Sequence, residues 1–212
     1  MLRRMSTSRR YSPSSDHAAI AVLAAEQHGV VSRAQLRRAR LSTAAIDNRV
    51  KTGRLLALHR GVYAVGHRPA TNHAQAMAAV LACGPHAVLS HRSAAALWRM
   101  GVAWRTPLDV TSPSGHRIPG VLAHRCRVFE ATREFGIPVT TPVRTLLDLA
   151  GTVDDAMLIR AVNEARLAGR LPPHDFAALV ERMPRRLERL LAPHGAPTRS
   201  ILEDEFLRFV RR

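Results

Sequence analysis

Three capped, apolar-periodic segments fall between residues 16 and 53, and two short β-prone runs follow over residues 54–65. Beyond residue 66, strand-like alternation is interleaved with further capped helices. These observations predict an α+β chain: an N-terminal winged helix-turn-helix over residues 16–66, a mixed α/β domain with a helical end over 67–192, and C-terminal helices. Residues 1–15 are expected to form a flexible basic arm, and residues 193–212 a linker and the first helix of a further domain.

The opening MLRRMSTSRRYSPSS combines Arg pairs, Ser and Pro with almost nothing to bury. It is either an arm adding phosphate contacts or an irrelevant leader. The first helix opens at Ser15 or Asp16 and runs to His28, with Gly29 just past its end. Ile20, Leu23 and Gln27 share one face, with Ala24 beside them. Ser32-Arg33-Ala34-Gln35 reads as a capping box that starts a second helix. Leu36 then points inward, and Arg33, Arg37, Arg38 and Arg40 point outward. Ser42 caps a third helix, from Thr43 to about Thr52, that stops at Gly53. Leu56, Leu58, Val62 and Val65 lie in the two β-prone runs, and His59-Arg60-Gly61 makes the turn between them.

Helix three carries the functional signal. Ile46 and Val50 stand at i and i+4 and face the module's core. Ala44, Asn48 and Lys51 then occupy the opposite face, flanked by Asp47. Such a helix fits a DNA major groove, where Asn pairs bidentately with adenine and Lys meets guanine or phosphate. Arg54 follows the helix and Arg60 tips the wing, within reach of a phosphate or minor groove. The candidate DNA-binding residues are therefore Arg33, Arg37, Ala44, Asn48, Lys51, Arg54 and Arg60. The bland alternative for helix three is a solvated face.

In the middle region a helix is expected from Ala70 to Ala82, and another from Arg92 to Arg99, capped from Ser90 and ending at Gly101. Leu108–Thr111 and Gly120–Arg127 read as strands, separated by the turn Ser112-Pro113-Ser114-Gly115. Thr141-Pro142 starts a helix with Thr as N-cap and Pro at N1, along which Arg144 and Asp148 form a structural i,i+4 pair. Helices are expected from Asp154 to about Gly169 and from His174 to about Met183. A second capping box, Ser200-Ile201-Leu202-Glu203, opens a helix with an apolar stripe of Ile201, Leu202, Phe206, Phe209 and Val210. It stops at Arg212, as if the chain ended inside another domain.

Composition narrows the classes. Two cysteines are too few for a disulfide scaffold, and no apolar run approaches the ~18 residues of a membrane span. A soluble, cytoplasmic protein without a secretory signal is expected. The formal charge is +16, and Lys51 is the only lysine, so the surplus is almost all arginine. A GC-rich genome also favours arginine codons, but that bias should spread evenly. Residues 1–65 instead hold 12 basic residues against 3 acidic ones, an excess suited to a phosphate backbone. Catalytic motifs are weak. Cys83, His86 and His91, with His124 and Cys126, match no common zinc spacing. Ser112-Pro113-Ser114-Gly115-His116 lacks the first glycine of a nucleophile elbow. Glu203-Asp204-Glu205 is the only acidic cluster, suited to a helix's first turn and without later carboxylates to complete a nuclease site. No enzyme activity, metal or cofactor is expected.

The string His28-Gly29-Val30-Val31-Ser32-Arg33-Ala34-Gln35-Leu36, with Arg54-Leu55 and Arg60-Gly61-Val62-Tyr63, resembles the N-terminal winged-helix domain of AbiEi-family antitoxins. Ser90-His91-Arg92-Ser93-Ala94-Ala95 and the run from Pro138 to Ala150 (PVTTPVRTLLDLA) resemble the remainder of actinobacterial proteins of this type. The resemblance implies a DNA-binding transcriptional repressor in a type IV toxin–antitoxin or abortive-infection setting. Its partners would be double-stranded DNA and a nucleotidyltransferase-type toxin. Many similar proteins continue into a Vsr-like domain of restriction-endonuclease fold, opened by a segment like Thr198-Arg199-Ser200-x-x-Glu203. By that resemblance residues 193–212 begin a truncated nuclease-like domain, with Glu203 as its first acidic residue. Two other readings stay open: a truncated remnant or part of such an endonuclease, inactive as this chain, and a middle region whose role is to bind a protein toxin.

Overall fold

A computed structural model of the protein describes residues 13–115, 117–182 and 185. The expectations for residues 1–12, for the segment 193–212 and for Glu203 lie outside the described residues. Helix α1 spans Pro13–Glu26, so it begins two residues before Ser15 and ends two short of His28. Gly29, at φ 82°, turns the chain into strand β1, Val30–Ser32. Helices α2 (Arg33–Arg38) and α3 (Thr43–Lys51) follow, then strands β2 (Leu55–His59) and β3 (Val62–Val65). The sheet order is β1-β3-β2, with both pairings antiparallel. Strand β1 is absent from the sequence reading. Three residues are too few to display a period.

The caps of α2 and α3 are as expected, whereas Ser90, expected to cap the helix that follows it, makes no side-chain capping bond. Ser32 Oγ accepts from Gln35 N at 3.2 Å, and Gln35 Oε1 accepts from Ser32 N at 2.8 Å, closing the capping box. Ser42 Oγ accepts from Ala45 N at the start of α3. Between these helices the turn tightens at Arg40, whose φ of 68° places a non-glycine residue in the left-handed region.

The second part of the chain contributes α4 (Asn72–Cys83), β4 (Val88–Leu89), α5 (His91–Leu97), β5 (Leu108–Ser112) and β6 (Val121–Arg125). It continues through β7 (Ala131–Glu134), β8 (Ile137–Thr140), α6 (Pro142–Ala150), α7 (Asp155–Leu167) and α8 (Pro173–Glu181). The five-stranded sheet runs β6-β5-β4-β8-β7. It is mixed: β4 pairs parallel with β8, and β5 parallel with β6. Thr71, rather than Ala70, caps α4, and Thr141 and Asp154 cap α6 and α7. The sequence reading holds β5 and β6 but misses β4, β7 and β8. Strand β4 is two residues long, β7 (ATRE) is largely exposed, and Pro138 interrupts β8.

Packing depends on side chains that alternate across the small sheet. Val31, Leu55 and Tyr63 face Ile20, Ala24, Leu36, Leu41 and Ile46, which together form the module's own core. Their neighbours Val30 and Val62 point the other way and join the larger core with α4. Helix α4 lies between the two sheets, contacting β1, β2 and β3 on one side and β5 and β8 on the other. Ala74, Ala76, Ala78 and Ala79 are all essentially buried, which allows both sheets to approach it closely. No helix among the described residues is long and apolar enough to cross a membrane.

Close packing around a small side chain leaves no room for growth. Ala76→Leu is expected to destabilise the chain by about 1–3 kcal/mol in urea unfolding followed by tryptophan fluorescence. A loss below about 0.3 kcal/mol would show that α4 has slack against its sheets.

Candidate nucleic-acid interface

Helix α3 is oriented by its two apolar residues. Ile46 is fully buried in the module's core, and Val50 packs partly against it. The opposite face is therefore turned to solvent, and Ala44, Asn48 and Lys51 are exposed along it. Asn48 and Lys51 reach outward one turn apart, and Ala44 leaves space for a base or methyl group to approach. Thr52 closes the helix, its Oγ1 donating to the Asn48 carbonyl at 2.9 Å.

The four arginines of the expected set have different surroundings. Arg54 and Arg60 are exposed, the first just past α3 and the second at the tip of the β2–β3 hairpin. Arg37 is exposed along its length, and its guanidinium donates to the Leu41 carbonyl at 3.0 Å, tying down the α2–α3 turn. Arg33 is held most firmly. Its guanidinium donates to Asp47 Oδ1 at 2.9 Å and to the Tyr63 hydroxyl at 3.1 Å. The Asp47 bond first, then the Tyr63 bond, hold the Arg33 guanidinium above its ordinary range. Arg33 therefore links α2, α3 and β3. Asp47, which the sequence reading placed as a mere flank of the reading face, is the residue that receives it. Sequence reasoning missed this link because the partners are 14 and 30 residues away.

Behind this face the module rests on the second part of the chain through aromatic rings. His28, at φ 54° in the turn before β1, bonds the Phe135 carbonyl through Nε2 at 2.7 Å. It also stacks on His73 of α4, with 5.4 Å between centroids, and Phe135 meets His73 edge-on. Burial first, with the nearby His28 and Arg99 charges, pushes the His73 pKa down.

A second polar cluster lies at the carboxyl ends of the parallel strands β4 and β8. His91, at φ 47°, opens α5 directly after β4. Its ring stacks on that of His124 from β6, with 3.7 Å between centroids. His124 Nε2 bonds Asp109 Oδ1 of β5 at 2.8 Å, and His91 Nδ1 lies 3.9 Å from Asp148 Oδ2 on α6. Arg144 grips the other Asp148 oxygen through Nε at 2.9 Å and a terminal nitrogen at 2.8 Å. The expected Arg144–Asp148 pair is therefore present, within a larger network. Burial works against the Arg144 charge, but the Asp148 bond together with the charges of Asp148, Cys126 and Glu130 outweighs it, leaving the pKa raised. Burial lowers the His91 pKa, with Asp148 and Asp109 opposing and His124 and Arg144 adding to the effect.

The residues grouped by sequence around a metal spacing come partly together in the same region. His91 and His124 meet face to face, with His91 Nδ1 bonded to Ser90 Oγ and His124 Nε2 to Asp109 Oδ1. Cys83 is buried in the large core, which pushes its thiol up to about 11. Among the described residues no group of three or more His, Cys, Asp or Glu can hold a metal ion. Ser112 is buried, and its Oγ accepts from Gly115 N at 3.1 Å, making a loop bond between strands.

Residues 19–66 match the family model described as a transcriptional regulator, AbiEi antitoxin. The matched span runs from α1 through β3 and contains the exposed face of α3. No curated protein matches the chain.

His59, His73 and His91 are all lowered by burial. As pH falls, the unfolded chain takes up these protons first, near the ordinary value of about 6.5. Their contribution is therefore complete above that value and lost as pH drops through it toward the folded values. The urea midpoint is expected to fall between pH 7.5 and pH 5.5, well above the range where Glu130 and other carboxylates act. His91→Asn, which tolerates the left-handed backbone, should flatten part of that dependence. A midpoint that holds or rises on acidification would refute the assignment.

Proposed function

We propose that the chain is a DNA-binding transcriptional regulator, acting as a repressor. The observation that carries this reading is the exposed Ala44–Asn48–Lys51 face of α3, set in a module that matches a transcriptional-regulator family model. In this reading α3 enters the major groove of double-stranded DNA. Asn48 pairs with an adenine edge, Lys51 meets guanine or phosphate, and Ala44 admits the groove wall. Arg37 and Arg54 flank the helix and hold phosphates, Arg60 of the hairpin holds a neighbouring phosphate, and Arg33 keeps α3 at its angle while adding positive field. The basic N-terminal residues supply further backbone attraction.

The biological setting belongs to the same proposal. The chain serves as an antitoxin-like component of a type IV toxin–antitoxin or abortive-infection system, in the cytoplasm, and represses its own promoter. A nucleotidyltransferase-type toxin is the protein partner this role entails. Regulation of this kind needs no catalytic step, metal or cofactor in the chain.

Binding to the DNA upstream of its own gene, measured by fluorescence anisotropy across a salt series, tests the reading. Affinity should fall steeply with salt, by about 0.9 log units per phosphate contacted for each log unit of salt. Asn48→Ala should cost about 1–3 kcal/mol at one base position and relax preference there. Lys51→Ala and Arg60→Ala should weaken binding to all sequences alike, each lowering the salt slope by about 1. Absence of binding at low salt, or unchanged slopes in both variants, would sink the proposal.

A further inference from the structure

Between the winged module and the second part of the chain lies a cleft of about 460 Å³. Its size falls within the roughly 300–1,000 Å³ of small-molecule sites. One wall is the start of α2 and the hairpin tip, and the other is the end of α4 with the β7–β8 hairpin. The floor is formed by Leu81 and Pro138, both partly exposed, over the buried Val62, Met77, Val80 and Ala87. Around it stand four guanidinium-bearing residues, Arg33, Arg38, Arg60 and Arg133, and no carboxylate among the described residues lines the cleft.

The four arginines come from three separate elements: α2, the β2–β3 turn and β7. Asp47 partly balances Arg33 from outside the cleft, and Arg133 donates to the Gly136 carbonyl of its own hairpin at 2.8 Å. Arg38 and Arg60 are exposed and have no ion-pair partner among the described residues. Gln27 and Gln35 also line the cleft, but their amides bond each other, Gln35 Nε2 donating to Gln27 Oε1 at 2.6 Å. Positive charge around an apolar floor selects a ligand with a ring-sized apolar body and at least two negative charges. Guanidinium groups recognise phosphate bidentately, while the floor takes a base or similar ring.

We infer that this cleft is a binding site for a small aromatic polyanion of the nucleoside-diphosphate class. The site stands on cleft geometry and charge and does not depend on the DNA-reading assignment. A ligand seated there touches Arg33, the residue that bonds Asp47 of α3, and Arg60 at the hairpin tip. Taken with the proposed function, that contact makes the cleft an effector site beside the reading helix, and this step alone rests on that reading.

The test is a direct titration of the full chain in 150 mM salt without DNA, using trinitrophenyl-ADP as fluorescent probe and unlabelled ADP as competitor. Saturable binding displaced by ADP is expected. Adenosine, which lacks the charge, and inorganic phosphate, which lacks the ring, should compete at least about tenfold less well. Arg38→Ala combined with Arg133→Ala should weaken binding by at least about tenfold. Ala34→Trp, at an exposed lining position of α2, should block the cleft without disturbing a core. Arg105→Ala with Arg127→Ala removes the same charge from surfaces outside the cleft and should leave affinity unchanged. The inference is overturned if ADP fails to compete, if phosphate alone competes equally, or if the two double variants lose affinity to the same extent. It is also overturned if Ala34→Trp, shown by circular dichroism to be folded, binds as the parent does.

Discussion

The arrangement of the whole chain depends on one helix that two sheets share. Helix α4 carries alanine where most core helices carry leucine, and four of those alanines are essentially buried. Small side chains bring backbones close, so the three-stranded sheet packs on one side of α4 while β5 and β8 pack on the other. The small sheet is thereby buried on both faces. Val31 and Tyr63 serve the N-terminal module, while Val30 and Val62, one residue away, serve the larger core. A one-residue slip in β1 or β3 would exchange those roles and expose both cores to mismatched partners. Register in three residues of strand is therefore fixed by two hydrophobic interfaces at once.

This shared packing governs how the exposed face of α3 is presented. A module joined by a linker alone would be free to turn, whereas here its sheet is anchored to α4 and its turn residue His28 is held by Phe135 and His73. Arg33 extends the chain of contacts forward, from the β1–α2 junction to Asp47 on α3 and Tyr63 on β3. Each link is ordinary in strength. Together they connect α3 to the five-stranded sheet through contiguous packed groups.

What the sequence made legible follows from the range of the interactions involved. Helix starts were readable because a cap is a local event: Ser32, Ser42, Thr141 and Asp154 each bond a backbone N–H three residues on. The exposed face of α3 was readable because burial of Ile46 settles where Asn48 and Lys51 point. Strands β1 and β4 were not, since their pairing partners lie far along the chain and their lengths are too short for alternation to register, while β8, beside its hairpin partner β7, is four residues long with a proline inside it. The reading of β5 and β6 caught the strands without their parallel pairing, which a connection of eight residues gives little reason to expect. The stacked His91–His124 pair was nearly in view. Those residues were grouped as a metal-spacing curiosity, but spacing cannot say whether two rings converge on an ion or lie face to face.

The same limit applies to arginine, the residue that dominates the charge. Counting placed a basic surplus at the N-terminal end, and the surplus there is real. Yet arginines a few residues apart on α2 have different tasks. Arg37 steadies the turn, Arg33 binds Asp47 and Tyr63, and Arg38 faces the interdomain cleft with Arg133. A net charge sums these roles and conceals them, because a guanidinium already paired inside the protein contributes less field to a phosphate than one left in solvent. Among the groups available to an external anion are then Arg38 and Arg60 in the cleft and Lys51 and Arg54 at α3, all exposed and without ion-pair partners among the described residues. Under the two proposals these groups meet different ligands, Lys51 and Arg54 a duplex and Arg38 a small polyanion. Arg60 belongs to both, so a ligand in the cleft and a phosphate at the hairpin would compete for the same guanidinium.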